Sequence, residues 1–337
     1  MSPQYSRREF LKQSFYFSAL ALGHRLDSVF ANGVGTEIEF APGAHHLFAI
    51  GDWGDGGSQR QQRAVARAMQ EYVAKHDIRV ENLLLLGDNW YGSLSGGARS
   101  TRWKEQFEDV YPAGAFPGKC YAVLGNHDYE NRPESKAEAQ LEYATTGKSR
   151  WTMPAKWYSF WFPERDPLIR WIALDSNFPH RGFLFHTPTM TRAEKEAQDS
   201  WFRSEFAKTS NALYTAVIAH HPVFSNGDHG DTPSLIEDWE PLLRQRKIHL
   251  YLCGHDHDLQ HLEFESSPTS YVISGGGGAK LRNLKRNPAA RGPYGLKIAG
   301  FTHIEVNRER MVIRLVDSNG QVLHGFRKTP AGEVLLG

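Results

Sequence analysis

Cysteine is scarce in this sequence, which has only Cys120 and Cys253 among its 337 residues. Small secreted domains that depend on disulfides carry many more cysteines, so a disulfide scaffold is excluded. Both cysteines lie in apolar runs typical of strands, where a thiol packs as a small hydrophobic group, and the sequence leaves a single bridge between them open. The fold must therefore depend on a hydrophobic core, for which 40% hydrophobic residues are ample.

An excess of charge of either sign is also absent, because 39 basic residues face 38 acidic ones. This balance provides no bulk attraction to nucleic acid or to an anionic membrane, so a nucleic-acid scaffold role is not expected. The weakly apolar run at residues 15–23 is too short to cross a bilayer, and no stable membrane insertion is expected. We expect a monomer whose partners are small molecules.

The N-terminal segment has the features of a targeting signal. Residues 6–12 read Ser-Arg-Arg-Glu-Phe-Leu-Lys and resemble the twin-arginine export signal of bacteria. The apolar run follows, and then Val29-Phe30-Ala31 supplies small residues suited to signal peptidase. We therefore predict a signal peptide at residues 1–31, the twin-arginine export machinery as a partner, and a periplasmic or secreted protein. The alternative is a short basic amphipathic helix.

Predicted strands and helices alternate from residue 45 onward, which indicates an α/β fold in a single domain at residues 44–326. The main strands are predicted at residues 46–50, 83–86, 121–124, 170–174, 214–219, 248–253 and 270–274. Helices are predicted at residues 58–75, 99–110, 135–145, 191–208 and 234–246. Near the C-terminus, residues 301–306 and 310–316 are predicted to pair as a hairpin.

Polar residues that can bind metal ions follow five of these strands. They are Asp52, Asp88 with Tyr91, Asn126, His220, and His255 with His257. Residues so far apart in the sequence can meet only if the strands lie side by side with their carboxyl ends aligned, which is where α/β sheets bind ligands. The alternative, turn aspartates and core histidines, fits any one motif but not five that all follow apolar strands.

These seven side chains comprise two carboxylates, one phenol, one amide and three imidazoles. A metal ion takes about four to six ligands, so seven suffice for two ions if one carboxylate bridges them and water fills the remaining positions. Hard anionic oxygens stabilise a trivalent ion near Asp52 and Tyr91. Neutral amide and imidazole ligands suit a divalent ion near Asn126.

As a set, the motifs Gly-Asp-Trp-Gly (51–54), Gly-Asp-Asn-Trp-Tyr (87–91), Gly-Asn-His-Asp (125–128), His-His-Pro (220–222) and Gly-His-Asp-His (254–257) resemble those of the calcineurin-like metallophosphoesterases. Within these, the chain resembles the purple acid phosphatases of the small tartrate-resistant type, and Tyr91 points to that subgroup. The resemblance implies a four-layer α/β/β/α sandwich with two mixed sheets. It places a site for two metals at the carboxyl ends of the strands.

The resemblance also assigns a role to each site residue. It implies Fe(III) held by Asp52, Asp88, Tyr91 and His257, and a divalent ion, Fe(II), Zn or Mn, held by Asp88, Asn126, His220 and His255. Asp88 would bridge the two ions. His127 and His229 would contact the substrate. Trp90 and His221 depart from the family pattern and are expected to flank the site.

The implied activity is that of an acid phosphatase, in which a metal-bound hydroxide attacks a phosphomonoester and the pH optimum is acidic. His127 would stabilise the phosphate oxygens, and His229 or a nearby water would protonate the leaving group. Two alternatives remain: a phosphodiesterase acting on nucleotides or phospholipid headgroups, and a non-catalytic metal-binding protein.

Four further features are interpreted as supporting structure. The glycines at 275–278 lack the phosphate-loop spacing and are expected to form a flexible rim loop. The basic run at residues 280–291 is expected to be a solvated loop, with a collar that attracts anionic substrates as the alternative. Asp175 is interpreted as structural, and Asp128 as the residue that orients His127.

Overall fold

The computed structural model describes residues 38–336, apart from 55–57, 131–134, 148, 179–188, 209 and 266. The predicted signal peptide at residues 1–31 lies outside the described residues. The strands of the described residues are β1 (His45–Ile50), β2 (Val80–Leu85), β3 (Cys120–Ala122), β4 (Trp151–Thr152), β5 (Tyr158–Phe162), β6 (Ile169–Ala173), β7 (Tyr214–Ile218), β8 (Leu250–Cys253), β9 (Leu259–Leu262), β10 (Ser270–Ser274), β11 (Tyr294–Leu296), β12 (Gly300–Val306), β13 (Met311–Asp317), β14 (Val322–Lys328) and β15 (Val334–Leu336). The α-helices are α1 (Arg60–His76), α2 (Lys136–Thr145), α3 (Arg192–Ala207), α4 (Pro233–Asp238) and α5 (Glu240–Gln245).

The strands form two mixed sheets. The first has the order β15-β14-β13-β12-β1-β2-β3-β4, and the second has the order β11-β9-β10-β8-β7-β6-β5. In the first sheet β1, β2, β3 and β4 run parallel to one another. In the second sheet β6, β7, β8 and β10 run parallel. Each sheet therefore directs several strand carboxyl ends toward one edge.

The two sheets pack face to face. Tyr121 of β3 stacks on Phe160 of β5, with the ring centroids 3.6 Å apart. The Tyr158 hydroxyl donates to the carbonyl of Ala122 at 2.8 Å, which ties the same two strands together. Strands buried on both faces are nearly continuous apolar runs, which explains the run of leucines in β2.

Helices cover the outer faces of this pair of sheets. On the first sheet, Tyr72 of α1 packs against Phe48 of β1. On the second sheet, the carboxylate of Glu205 on α3 pairs with Arg170 of β6 at 2.7 Å, and both side chains are buried. The four-layer arrangement with two mixed sheets is therefore confirmed.

Most predicted elements are present, and two of the predicted helices differ from those observed. Residues 99–110 do not form one α-helix but a 3₁₀ turn at Gly97–Arg99 and a π-helical segment at Trp103–Glu108. Residues 234–246 form two short helices, α4 and α5, that meet at Trp239. The break between α4 and α5 follows from Pro241, because proline has no N–H with which to continue the hydrogen bonding of α4.

The other predicted helices and the hairpin are confirmed. Thr191 caps α3. Its hydroxyl accepts a hydrogen bond from the backbone N–H of Glu194, and the Glu194 carboxylate accepts one from the backbone N–H of Thr191. The hairpin of β12 and β13 pairs residue by residue from Gly300 with Asp317 to Val306 with Met311. Strands β5 and β9 were not predicted from the sequence.

The structure shows the state of the two cysteines and the character of its helices. Cys120 on β3 and Cys253 on β8 are buried free thiols, so the bridge that the sequence left open is not formed. In the part of the chain that the structure describes, no helix has both the length and the apolar character that crossing a bilayer requires.

Candidate metal centre

The seven predicted ligands lie at the carboxyl ends of parallel strands from both sheets. Asp52 follows β1, Asp88 and Tyr91 follow β2, and Asn126 follows β3 in the first sheet. His220 follows β7, and His255 and His257 follow β8 in the second sheet. The carboxyl edges of the two sheets therefore meet at one place, as the sequence predicted.

Four of these side chains form a first cluster. The Tyr91 hydroxyl lies 2.9 Å from Oδ2 of Asp88, 3.3 Å from Oδ1 of Asp52 and 3.2 Å from Nε2 of His257. Nε2 of His257 is 3.4 Å from Oδ1 of Asp52. The donor atoms of Asp52, Asp88 and His257 all lie within 4.8 Å of one another, close enough to bind one ion.

A second cluster lies on the other side of Asp88. Nε2 of His220 is 3.2 Å from Oδ1 of Asn126 and 3.2 Å from Nδ1 of His255. The same nitrogen is 3.5 Å from Oδ1 of Asp88. Asp88 thus directs one carboxylate oxygen to each cluster, which is the geometry of a bridging ligand.

Electrostatics links the members of the second cluster. Burial opposes charge on Asp88 and on His220, but their mutual attraction prevails, lowering the pKa of Asp88 and raising that of His220 to about 10. A cation that binds beside Asp88 would therefore have to displace the proton on Nε2 of His220. Burial, together with the neighbouring histidines, holds the pKa of His255 well below its usual range. His255 is therefore neutral, as an imidazole must be to bind a metal ion.

Backbone carbonyls orient two of the imidazole rings. Nδ1 of His220 lies 2.9 Å from the carbonyl of Leu86, and Nδ1 of His257 lies 2.7 Å from the carbonyl of Lys280. A carbonyl only accepts hydrogen bonds, so Nδ1 is the protonated nitrogen and Nε2 faces the cluster. Metal-binding histidines usually have such a partner, which sets the tautomer.

The backbone at the ligands is unusual. Asp52, Asp88 and His255 have positive φ angles of 57°, 50° and 70°. Residues other than glycine rarely adopt this left-handed backbone conformation, and those held in it concentrate at functional sites. At Gly125 a Cβ atom would lie 2.2 Å from Oδ1 of Asp88, so glycine is required there by the close approach of a ligand from the next strand.

Comparison with known proteins agrees with this geometry. A family model described as calcineurin-like phosphoesterase matches residues 45–259. The chain belongs to this family. Human tartrate-resistant acid phosphatase type 5 is 30% identical over 301 residues, which cover 84% of this chain and 90% of the human protein. Purple acid phosphatase 17 of Arabidopsis thaliana is 28% identical over 295 residues, which cover 84% of this chain and 83% of the plant protein.

Solved structures share the fold of this phosphoesterase at lower identity. GAP50, the anchor in the inner membrane complex of Plasmodium, superposes with a TM-score of 0.66 at 22% identity, over 84% of this chain and 87% of that protein. Purple acid phosphatase PPD1 from yellow lupin has a TM-score of 0.65 at 15% identity, over 86% of this chain and 54% of that enzyme. Similarity at these identities shows the fold alone.

The two histidines predicted to contact the substrate lie beside the clusters of this phosphoesterase. Nε2 of His127 is 4.0 Å from Oδ2 of Asp88, and its ring lies 4.3 Å from that of Tyr91. The His229 ring stacks on that of His255, with the centroids 4.0 Å apart. The structure thus brings both histidines to the same edge as the seven predicted ligands.

Asp256 holds His229 in place and was not predicted to do so. Its Oδ1 lies 3.0 Å from Nδ1 of His229 and accepts from the His229 backbone N–H at 2.9 Å. Its Oδ2 accepts a short hydrogen bond from the Ser225 hydroxyl. The signal in the sequence was a carboxylate lying between two predicted ligands, His255 and His257.

Asp128 does not have the role predicted for it. Its carboxylate accepts three backbone hydrogen bonds, from Asn89 at 3.0 Å, Trp90 at 2.9 Å and Gly125 at 2.8 Å. The structure assigns the contact with the His127 ring to Glu130, whose Oε1 lies 2.9 Å from Nδ1. Asp128 therefore fastens the loop after β2 to the loop after β3.

Replacing Asp128 by asparagine is expected to lower the free energy of unfolding by about 1–3 kcal/mol, because an amide has only one acceptor oxygen and turns an NH2 group toward backbone donors. Urea unfolding measures this change. Asp109→Asn is the control, since Asp109 is exposed in a surface pair with Lys104 and should change stability by less than about 1 kcal/mol. Equal stability of the two variants would contradict the assignment.

The two departures from the family pattern have different environments. Trp90 was expected to flank the site, but its side chain is fully buried and packs against Trp53 and Trp103 in the core. His221 does flank the site, because a nitrogen of its ring lies within 4.8 Å of donor atoms of His220 and His255. It is a third imidazole beside the second cluster.

The glycines at 275–278 do not form the flexible rim loop that was expected. They are buried, and the N–H of Gly277 donates to the carbonyl of Gly51 at 3.1 Å. A Cβ atom on Gly278 would lie 2.5 Å from the carbonyl oxygen of Trp53. These glycines allow the segment after β10 to pack directly on the backbone that carries Asp52.

The basic run at residues 280–291 is bound to the loop that carries His229. Lys285 pairs with Asp228 at 2.9 Å, and Arg286 and Arg291 pair with Asp231 at 2.9 and 2.8 Å. Asp228 and Asp231 lie on either side of His229 in the sequence. By pairing with them, the basic residues stabilise one rim of the site. The run is therefore more than the solvated loop that was expected.

Proposed function

We propose that this phosphoesterase is a metal-dependent acid phosphatase that hydrolyses phosphomonoesters at a dinuclear centre of Fe(III) and a divalent ion. The observation that carries the proposal is the position of Asp88, whose two carboxylate oxygens face two separate clusters of metal-binding side chains. His127 and His229 lie beside these clusters, where one can contact the phosphate oxygens of the substrate and the other can protonate the leaving group.

The donor sets suit two different ions. The first cluster contains two carboxylates and the phenol of Tyr91, and burial together with Asp88 and Asp52 raises the pKa of that phenol well above its usual range. A trivalent ion would offset the negative charge of this oxygen-rich set, and hard anionic oxygens are the ligands that such an ion prefers. The second cluster has one carboxylate shared with the first and otherwise neutral ligands, which suit Fe(II), Zn or Mn.

Bound cations would supply Lewis acidity that neutralises charge on the phosphate oxygens and lowers the pKa of an attacking water. The protein positions the other groups. The Nδ1 contact with Glu130 directs Nε2 of His127 toward the site. The Asp256 contact orients His229, which is placed to hold a proton for the departing alkoxide.

We also propose that the protein is exported by the twin-arginine route and acts in the periplasm or outside the cell. The support is the motif at residues 6–12, followed by an apolar run and small residues at 29–31. Fractionation of cells that express the full chain tests this proposal, and protein confined to the cytoplasm would contradict it.

Purified protein is expected to cleave p-nitrophenyl phosphate with an acidic pH optimum, and faster than bis-p-nitrophenyl phosphate. Elemental analysis should find two metal ions per chain, and chelation should abolish activity. Tyr91→Phe is expected to lose visible absorption, because a phenolate bound to Fe(III) gives rise to that colour. Full activity without metal would refute the proposal, and faster cleavage of the bis-ester would indicate a phosphodiesterase instead.

A further inference from the structure

A buried lysine lies next to the candidate site and has no role in the mechanism described above. Lys136 is in the first turn of α2, and its side chain is completely buried. Its ammonium donates to the carbonyls of Trp90 at 2.8 Å and Gly92 at 3.0 Å, and to Oε2 of Glu130 at 3.3 Å. These three acceptors match the three N–H groups of an ammonium, which offsets the cost of burying the charge.

Glu130 connects this ammonium to the imidazole of His127. One carboxylate oxygen faces Lys136, and the other lies 2.9 Å from Nδ1 of His127. Because Lys136 holds one oxygen, the other oxygen is held in one position. An ionised carboxylate only accepts, so Nδ1 of His127 carries the hydrogen and Nε2 is the nitrogen turned toward Asp88.

The same ammonium also holds the loop that carries Tyr91. Its two carbonyl acceptors belong to Trp90 and Gly92, the residues on either side of Tyr91. The rings of Tyr91 and His127 lie 4.3 Å apart. One charge therefore helps to position two neighbouring groups, Tyr91 in the first cluster and His127 beside it.

We propose that Glu130 and Lys136 are positioning residues that hold His127 in the orientation needed to contact the substrate phosphate. The inference rests on the proposed function, since it assigns a purpose to His127 within that site. Glu130 acts through His127 alone, whereas Lys136 acts through both Glu130 and the backbone around Tyr91. Neither residue touches the substrate.

A double-mutant cycle on hydrolysis of p-nitrophenyl phosphate tests whether Glu130 acts through His127. Glu130→Ala is expected to lower kcat about 10–100-fold, the range found when a side chain that orients a metal-binding histidine is removed. Glu130→Gln retains an acceptor oxygen for Nδ1–H and is expected to recover most of that loss. In a His127→Ala background, Glu130→Ala should change kcat by less than about twofold, because no ring remains to be positioned.

An equal loss of kcat in both backgrounds would overturn the inference, because it would show that Glu130 acts independently of His127. A wild-type kcat in Glu130→Ala would overturn it as well. If the wild-type protein has no phosphatase activity, the proposed function fails. The contact is then tested by the ¹⁵N chemical shifts of His127, which Glu130→Ala should change and Glu130→Gln should largely preserve.

Lys136→Met is compared with Lys328→Met to separate positioning from stability. Lys328 is also buried, and it donates to the carbonyl of Pro268 at 2.7 Å and the hydroxyl of Ser270 at 2.9 Å, away from the candidate site. Both variants should be less stable, but only Lys136→Met should lose kcat, about tenfold or more. Equal kcat in the two variants would overturn the role of Lys136. If Lys136→Met does not fold, the cycle on Glu130 decides the inference.

Discussion

Replacing Asp88 by asparagine is expected to remove both metal ions and to lower kcat/KM by more than about 100-fold. Loss of a residue that only orients a metal ligand already costs about 10–100-fold, and Asp88 is placed to contact both ions directly. Its two oxygens face Tyr91 at 2.9 Å and His220 at 3.5 Å, so the substitution affects both positions at once. The amide keeps the shape of the side chain but lacks the charge and one oxygen. Elemental analysis of the purified variant, with the rate on p-nitrophenyl phosphate, measures the effect.

Asp175→Asn is the matched control for this substitution. Asp175 is also fully buried at the end of a strand, but it accepts hydrogen bonds from Tyr129 and from Asn177 instead of facing the clusters. The control variant should lose stability and still bind both metals. Two metal ions retained in Asp88→Asn would rule out the bridging role.

Replacing His229 by alanine is expected to slow hydrolysis of alkyl phosphates by about 10²–10⁴-fold, the usual contribution of a general acid. Aryl phosphates such as p-nitrophenyl phosphate should be slowed much less, because their leaving groups depart without a proton. His229 is the candidate because its Nδ1 is held by Asp256 at 3.0 Å and its ring lies on that of His255. The measurement is the ratio of the wild-type rate to the variant rate, determined once with an alkyl phosphate and once with an aryl phosphate on the same enzyme preparations.

His324→Ala is the control for a change of histidine remote from the clusters. His324 lies on β14, where it contacts His261 at 2.9 Å and stacks on Tyr294. Its removal should leave both rates near those of the wild type. If His229→Ala slows alkyl and aryl phosphates equally, His229 is not the acid that protonates the leaving group.

The activity of this chain depends on these side chains and not on the fold alone. A similar fold with a TM-score of 0.66 belongs to GAP50, which is described as an anchor in a membrane complex. The fold therefore supports different roles, and what a particular chain does depends on the groups at its strand ends. In this chain those groups include both clusters and the two flanking histidines.

The sequence predicted that the candidate ligands lie together at strand ends, because each motif has local causes. An apolar run produces a buried strand, and the polar residue that ends it must lie at a sheet edge. The sequence was less reliable wherever a long-range contact decides the outcome. Trp90 was expected to flank the site, but its ring turns into a cluster of aromatic side chains. The glycines at 275–278 resembled a mobile loop, but they pack against the backbone after β1.

The amino-acid sequence by itself determined the alternation of strands and helices, the choice of seven candidate donor residues and the motifs of the family. These depend on hydrophobic periodicity and on residue chemistry, both of which are local. Only the tertiary structure decided that the ring of Trp90 turns into the core, that Asp128 joins two loops and that Glu130 holds His127. Each of these depends on the distance between atoms from different strands and helices, and packing of the whole chain sets that distance.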